Sequence, residues 1–285
     1  MTATTERPTP VVRGASAVAV PPDVEPEVRR PADAGLMVPI LVAAGLLLVW
    51  EVLARFGVLK PVLFSSPMVI GRTLVASFAS GEMTMHVVAT VTRTLAGMAL
   101  GAIPGLLLGL AMGWSGGLRR ALDPILAALH PIPKIAILPL LMIFLGIGEA
   151  SHIAVASVAA FFPMLINTMA GVRAINPIYF EVAQNYGASK YLLFRRVVLP
   201  ASLPLVFSGL RLAANVTLLV TIAAEIVMAD RGLGAQVWLA WETLRVELLY
   251  ATLVVIASLG IALTGGLRLI RRAAVPWQVD PGVSR

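Results

Sequence analysis

No cysteine occurs among the 285 residues. Disulfides, thiolate metal sites and a cysteine nucleophile are thereby excluded. Histidine is nearly as scarce: the three in the chain, His86, His130 and His152, are spread too widely to read as a metal-ligand cluster. No Gly-x-x-x-x-Gly-Lys-Ser/Thr stretch is present, so the chain has no phosphate cradle of its own for ATP and is not expected to be an enzyme. Ser, His and carboxylate do not occur at the spacing of a hydrolytic triad. Charged residues make up only 13% of the chain, and carboxylates within its apolar runs are too few for a redox or proton pump. No catalytic residue, metal or cofactor is expected.

Apolar side chain is what the sequence has in excess, at 58% of residues with a mean hydropathy of +0.89. A soluble domain of this length cannot hide so much, because its surface is too large relative to its volume. The solvent that accepts it is a lipid bilayer. The net charge of +7 then marks the loops on the inner side of the membrane. Nucleic acid is not an expected partner, since no stretch joins clustered basic residues to stacking aromatics.

About 20 mostly apolar residues cross the roughly 30 Å of hydrocarbon as a helix. Six segments qualify: 36–54, 90–113, 122–146, 152–171, 203–229 and 247–268. The third is interrupted by His130, Pro131, Pro133, Lys134 and Pro139. The expected fold is an all-α polytopic membrane protein with a transmembrane domain over 35–272. It is flanked by a disordered cytoplasmic tail over 1–34, which does not read as a signal peptide, and a cytoplasmic C-terminal tail over 273–285. With the N-terminus inside, 14 of the 22 Lys and Arg fall in inner segments and five in outer ones, so both termini are expected in the cytoplasm. In the outer segment 55–89, Ser66-Pro67 predicts a short helix running to about Phe78 and ending near Gly81.

The second span carries Gly97, Gly101, Gly105, Gly109 and Gly113, each four residues apart. On a helix they make a groove that lets another backbone approach closely. Two readings stand: close packing alone, or a tightly packed inner helix beside a moving pathway. Pro104 is expected to kink it.

Four charges lie within spans. Arg93 is placed near the outer end of the second, from which it can snorkel to the interface. Glu225 lies toward the outer end of the fifth. Lys134 and Arg211 are candidate pathway residues for an anion in transit. The plainer alternative is that they face a partner chain, pair with a carboxylate or reach headgroups. His130, Glu149 and His152 form a weak candidate for a membrane-embedded enzyme site, but they sit at opposite ends of the third span. A secondary transporter would need broken helices at matching places in both halves, and the proline break of the third span has no second copy.

The segment between the fourth and fifth spans, residues 176–200, is too polar to insert and too regular for a slack linker. Asn176-Pro177 predicts a helix start, Gly187 a left-handed helix end, and Ser189 the cap of a second short helix that Leu199-Pro200 stops. Two short helices bent at a glycine should project from the membrane. Its residues run Glu181-Val182-Ala183, three residues, Gly187, nine residues, Val197-Val198-Leu199-Pro200. This resembles the loop signature of ATP-binding-cassette (ABC) importer permeases, Glu-Ala-Ala, three residues, Gly, nine residues, Ile, one residue, Leu-Pro. The departures are Val for the first Ala and Val for Ile. Over residues 66–270 the stretches SPMVIGRTL, GEMTMHVVATVTRTLAGMALG, HPIPKIAILPLLMIFLGIGEA and AAEIVMADRGLGAQVW look like the nitrate/sulfonate/taurine branch.

The resemblance implies a type I importer permease of MetI-like architecture in the cell inner membrane. Two permease chains would form the pathway, two ATPase subunits would dock beneath it, and an extracytoplasmic substrate-binding protein would deliver the solute. It implies that Glu181 contacts the ATPase, Ala183 is small where the loop enters the ATPase cleft, Gly187 permits the bend, and Leu199 and Pro200 anchor and end the second helix. The implied solute is a sulfonate, taurine or a nitrate-like anion, with a vitamin precursor or other small heterocycle as the alternative.

Overall fold

The computed structural model describes residues 37–60 and 63–277, and it divides into two units at Leu47/Leu48. The tail expected over 1–34 and residues 278–285 of the C-terminal one lie outside the described residues. The described part of the first unit is the opening of helix α1, Met37–Arg55, whose one acid, Glu51, falls in its last turns.

In the second unit, Glu51 receives Arg55 Nε at 2.6 Å and the backbone N–H of Met68 at 3.0 Å. Met68 lies in the first turn of α2, Pro67–Ala79, where a carboxylate complements the unpaired N–H groups. Ser66 caps that helix by accepting from Val69 N at 3.4 Å, as its Ser-Pro start predicts. Helix α3, Glu82–Trp114, is 33 residues long and tolerates Pro104 in its interior. All five glycines of its stripe lie against α6, Glu149–Arg173. A Cβ on Gly105 would sit 2.6 Å from Phe161 O, one on Gly109 2.7 Å from Leu165 O, and one on Gly113 2.6 Å from Val172 Cβ. The glycines therefore face the α6 backbone at Gly101, Gly105 and Gly109 and side chains of α6, Ala156 and Val172, at the two ends of the stripe.

The third expected span is not one rod. Helix α4, Gly116–Leu129, and the run Lys134–Leu145, a 3-10 turn followed by α5 (Leu138–Leu145), meet at an angle of 87°. Neither half reaches 30 Å at 1.5 Å per residue. Pro131 and Pro133 supply no backbone N–H, so the ladder of α4 cannot be continued beyond His130. Among the described residues five helices are each long and apolar enough to cross a membrane, six if the bent pair counts as one span.

Helix α7, Pro177–Asn185, and the single turn α8, Lys190–Leu193, follow α6. One expectation fails here: Leu199-Pro200 does not stop the helix. The chain runs from α8 through a π turn, Phe194–Val198, directly into α9, Leu199–Met228, as one 39-residue helical body. The wide turn explains the tolerance. Leu199 N–H bonds five residues back to Phe194 O, so the proline ring meets an opened turn rather than a closed one. Helices α10, Leu233–Glu242, and α11, Val246–Ala274, complete the unit. Helix α6 packs between α3 and α9, and α11 covers α9, α10 and α2. No strand occurs among the described residues.

Candidate functional site

The chain directions of α3, α6 and α9 define two ends. The connector Ile175–Val198 lies at one; Arg93, Glu149 and Glu225 lie at the other.

At the connector, Asn176 caps α7 by accepting from Ile178 N at 3.0 Å. The helix closes with paired backbone bonds, Ala188 N to Ala183 O at 3.0 Å and Gly187 N to Gln184 O at 2.9 Å. This is the Schellman arrangement, and it requires the φ of +73° that Gly187 adopts. A Cβ on Gly187 would meet nothing within 4 Å. Glycine is needed there for backbone conformation, not for space. Ser189 then caps α8 by accepting from Leu192 N at 3.3 Å.

The connector has two faces. Phe180 and Phe194 turn inward onto Trp114 at the end of α3, with ring centroids 6.4 and 5.9 Å away. They join a cluster of Leu110, Val172, Ile175 and Val198 that Leu199 also touches. The outer face is bare: Tyr186 is 87% exposed, and Ile178, Tyr179 and Val182 are exposed beside it. Glu181 is exposed, with no hydrogen bond or ion pair among the described residues, and Ala183 is half-buried at the base. Pro200 is half-buried within the continuous helix. An exposed aromatic and aliphatic face on a firmly seated base is a surface prepared for a partner. Trp114 escaped the sequence reading, which offered only a lone aromatic after the glycine stripe.

At the opposite end, Arg93 is 3% exposed and does not snorkel. Its Nη1 donates to Glu225 Oε1 at 2.9 Å and to Arg231 O at 2.5 Å. Its Nε and Nη2 fork onto the Glu149 carboxylate at 2.7 and 2.5 Å. Glu225 is fully buried and also accepts from Thr90 Oγ1, at 2.9 and 3.0 Å, and from Gly234 N at 3.0 Å. Leu233 N donates to Thr90 Oγ1 at 2.8 Å. His86 Nδ1 lies 3.1 Å from Gly232 N and 2.9 Å from Gly232 O. Gly232 has φ +125°, and a Cβ on it would collide with the Glu225 carboxylate. One arginine thus joins α3, α6, α9 and the turn before α10. Intramembrane charges pair with one another, and that rule was the available signal: Arg93 and Glu225 are isolated charges in apolar runs.

The remaining candidates are separate. Lys134 Nζ donates to His130 O and to Ile132 O (2.8 Å for the latter) and lies 4.7 Å from the Phe162 ring centroid, so it fills the bend between α4 and α5. Arg211 is half-buried on α9 and makes no hydrogen bond or ion pair among the described residues. His130, Glu149 and His152 are not brought together. The His130 ring stacks near Phe162, Glu149 binds Arg93, and His152 Nδ1 contacts Gly148 O at 2.9 Å. Among the described residues no group of His, Asp and Glu is arranged to hold a metal.

Comparison with known proteins fits this layout. Residues 105–276 match the family described as binding-protein-dependent transport system inner membrane component. The taurine transport system permease protein TauC of Escherichia coli K12 is 33% identical over 254 residues, covering 87% of this chain and 92% of the relative. The putative aliphatic sulfonates transport permease protein SsuC of Bacillus subtilis 168 is 30% identical, covering 86% and 88%. The formylaminopyrimidine transport permease protein ThiX of Halalkalibacterium halodurans C-125 is also 30% identical, covering 84% and 95%. In structure, the inward-facing MetNI methionine ABC transporter aligns with a TM-score of 0.59 at 20% identity, over 67% of this chain and 95% of that one. The chain is thus a multi-pass inner-membrane permease subunit and belongs to the binding-protein-dependent transport system inner membrane component family of ABC importers.

Proposed function

We propose that this permease imports a small organosulfonate of the taurine or alkanesulfonate type, as one of two identical copies, with both termini and the connector in the cytoplasm. The observation that carries the coupling part is the connector itself: a glycine-bent pair of helices with a bare outer face and an aromatic base, on residues spaced as in the importer loop signature. An ATPase subunit takes this face. Glu181 offers it a charge, Ala183 lets the cleft close on the helix, and Gly187 sets the angle.

Force applied to α7 has two routes inward. One passes through Phe180 and Phe194 to Trp114 and so to α3. The other passes along the unbroken run from Lys190 to Met228. A continuous helix transmits a push along its axis without a hinge to absorb it, which suits the absence of a stop at Pro200. Closure of the ATPase dimer therefore moves α9 and α3 together, with α6 held between them by the glycine contacts. The distribution of Lys and Arg supports the sidedness, and the named solutes of the taurine and sulfonate relatives support the substrate.

The experiment is to purify the permease with its ATPase and to carry Gly187→Val and Glu181→Lys in parallel. Both variants should insert normally and lose ATPase co-purification or uptake. Full retention of both properties in both variants contradicts the coupling role. A second reading, import of a small heterocycle, is supported by the formylaminopyrimidine relative. The binding protein that partners this permease decides between them by what it binds.

A further inference from the structure

Helices α9 and α11 leave an open trough of about 440 Å3 between them, near the end of α11 that carries Arg268. Its chemistry is uneven along its length. Asn215, Thr264 and Arg268 gather at one end, and Ala257, Gly260 and Ile261 line the rest. The Thr264 hydroxyl donates to Gly260 O at 2.8 Å, and its oxygen lies 3.2 Å from the Asn215 side-chain amide. Asn215 is exposed beside it, and its side-chain amide makes no other hydrogen bond among the described residues. Arg268 is exposed and has no hydrogen bond or ion pair among them. No carboxylate lines the trough.

The register adds a second positive charge. Helices α9 and α11 run antiparallel across the 215/264 contact. Arg211, one turn before Asn215, therefore stands at the level of Arg268, one turn after Thr264. Arg211 lies within a span and Arg268 near the end of another, and neither has a counter-charge among the described residues. An unpaired charge within a span is a functional signal, because such groups otherwise pair. Guanidinium groups bind planar or tetrahedral oxyanions through two parallel N–H bonds. From Ala257 to Arg268 the helix rises about 16 Å, long enough for a charged head and a short aliphatic tail. The volume is within the range of small-molecule sites, about 300–1,000 Å3.

We infer that this trough is a transit site for an amphiphilic oxyanion of the alkanesulfonate class. The sulfonate lies on Arg268 and Asn215, Arg211 adds a second charge at the same level, and the aliphatic tail lies along Gly260 and Ile261. The inference rests on the sulfonate reading above and adds the place and the preference for chain length. It also gives the two unpaired arginines and the small residues of α11 one common purpose. A phospholipid phosphate has the same head chemistry and is the competing occupant.

The test uses the permease reconstituted in proteoliposomes with its ATPase and binding protein, supplied with ethanesulfonate or hexanesulfonate. Arg268→Gln should lower the maximal uptake rate of both at least tenfold while the ATPase still co-purifies. Gly265→Leu fills the trough, and a Cβ there meets nothing within 4 Å, so packing is spared. It should depress hexanesulfonate uptake at least tenfold more than ethanesulfonate uptake. Native mass spectrometry supplies the lipid arm: loss of retained phosphatidylglycerol in Arg268→Gln with wild-type sulfonate uptake assigns the trough to lipid and overturns the inference. Wild-type uptake by both variants, with or without lipid loss, overturns the site alone. A wild-type complex that imports neither sulfonate ends the substrate reading and the site with it.

Discussion

Arg93 on α3 and Glu225 on α9, 132 positions apart in sequence, meet at 2.9 Å with their side chains 4% and 0% exposed. This pair ties the helix that carries the glycine stripe to the helix that continues from the connector. Its members are asymmetric in their other partners: Glu225 is held by Thr90 and Gly234 as well, whereas Glu149, the second carboxylate on Arg93, is 63% exposed.

Removing the arginine should therefore be costly and removing the exposed carboxylate should not. Arg93→Met is expected to destabilise the purified permease by about 3–5 kcal/mol, because it leaves Glu225 buried without a counter-charge. Glu225→Met should cost less, because Arg93 keeps the Glu149 carboxylate. Glu149→Gln should cost about 0–1 kcal/mol, as expected for an exposed partner. The double variant Arg93→Met/Glu225→Met should be less destabilised than the sum of its parts. Thermal unfolding in detergent measures all four.

The α3–α6 contact makes a second prediction. Gly101→Ala and Gly105→Ala each push a methyl group into the α6 backbone or its side chains and should cost about 1–3 kcal/mol. Gly116→Ala, where a Cβ meets nothing within 4 Å and φ is not positive, should be neutral or stabilising by about 0.4–1 kcal/mol. Melting temperatures in one detergent provide the comparison. Equal effects at the three positions would contradict close packing of α3 on α6.

Trp114 is assigned to transmission. Trp114→Ala removes the ring on which Phe180 and Phe194 rest but leaves the exposed face of α7 intact. The ATPase should still co-purify, and ATP-driven uptake should fall by tenfold or more. Loss of co-purification instead would place Trp114 in the docking surface.

Lys134 is assigned to the bend. Its ammonium is occupied by His130 O, Ile132 O and the Phe162 ring. Lys134→Met should keep uptake within about twofold and lower thermal stability by about 1 kcal/mol, the usual net worth of such hydrogen bonds. Uptake lost with stability retained would return Lys134 to the pathway.

What the sequence disclosed divides by distance along the chain. The caps and bends of the connector were legible, because Asn176-Pro177, Gly187 and Ser189 act within one or two turns of themselves. The glycine stripe was legible as a groove, though not the identity of α6 as its filling. The right-angle break after His130 was visible as prolines but not as an angle, since hydropathy counts residues and ignores direction. Pro200 misled because the rule that proline ends a helix assumes a closed turn, and the π turn at 194–198 opens it. Arg93 misled for a different reason: its place near a helix end favoured snorkelling, and only the fold brings Glu149 and Glu225 within reach.

The absence of cysteine makes the decisive measurement clean. A single Tyr186→Cys substitution places the one thiol of the chain on a highly exposed residue of the connector, with no background labelling from the permease. In sealed vesicles with the cytoplasmic face outward it should react with a membrane-impermeant maleimide, lose that reactivity when the ATPase is bound, and crosslink to the ATPase. Reactivity only in vesicles of the opposite orientation, or labelling indifferent to the ATPase, would contradict the account.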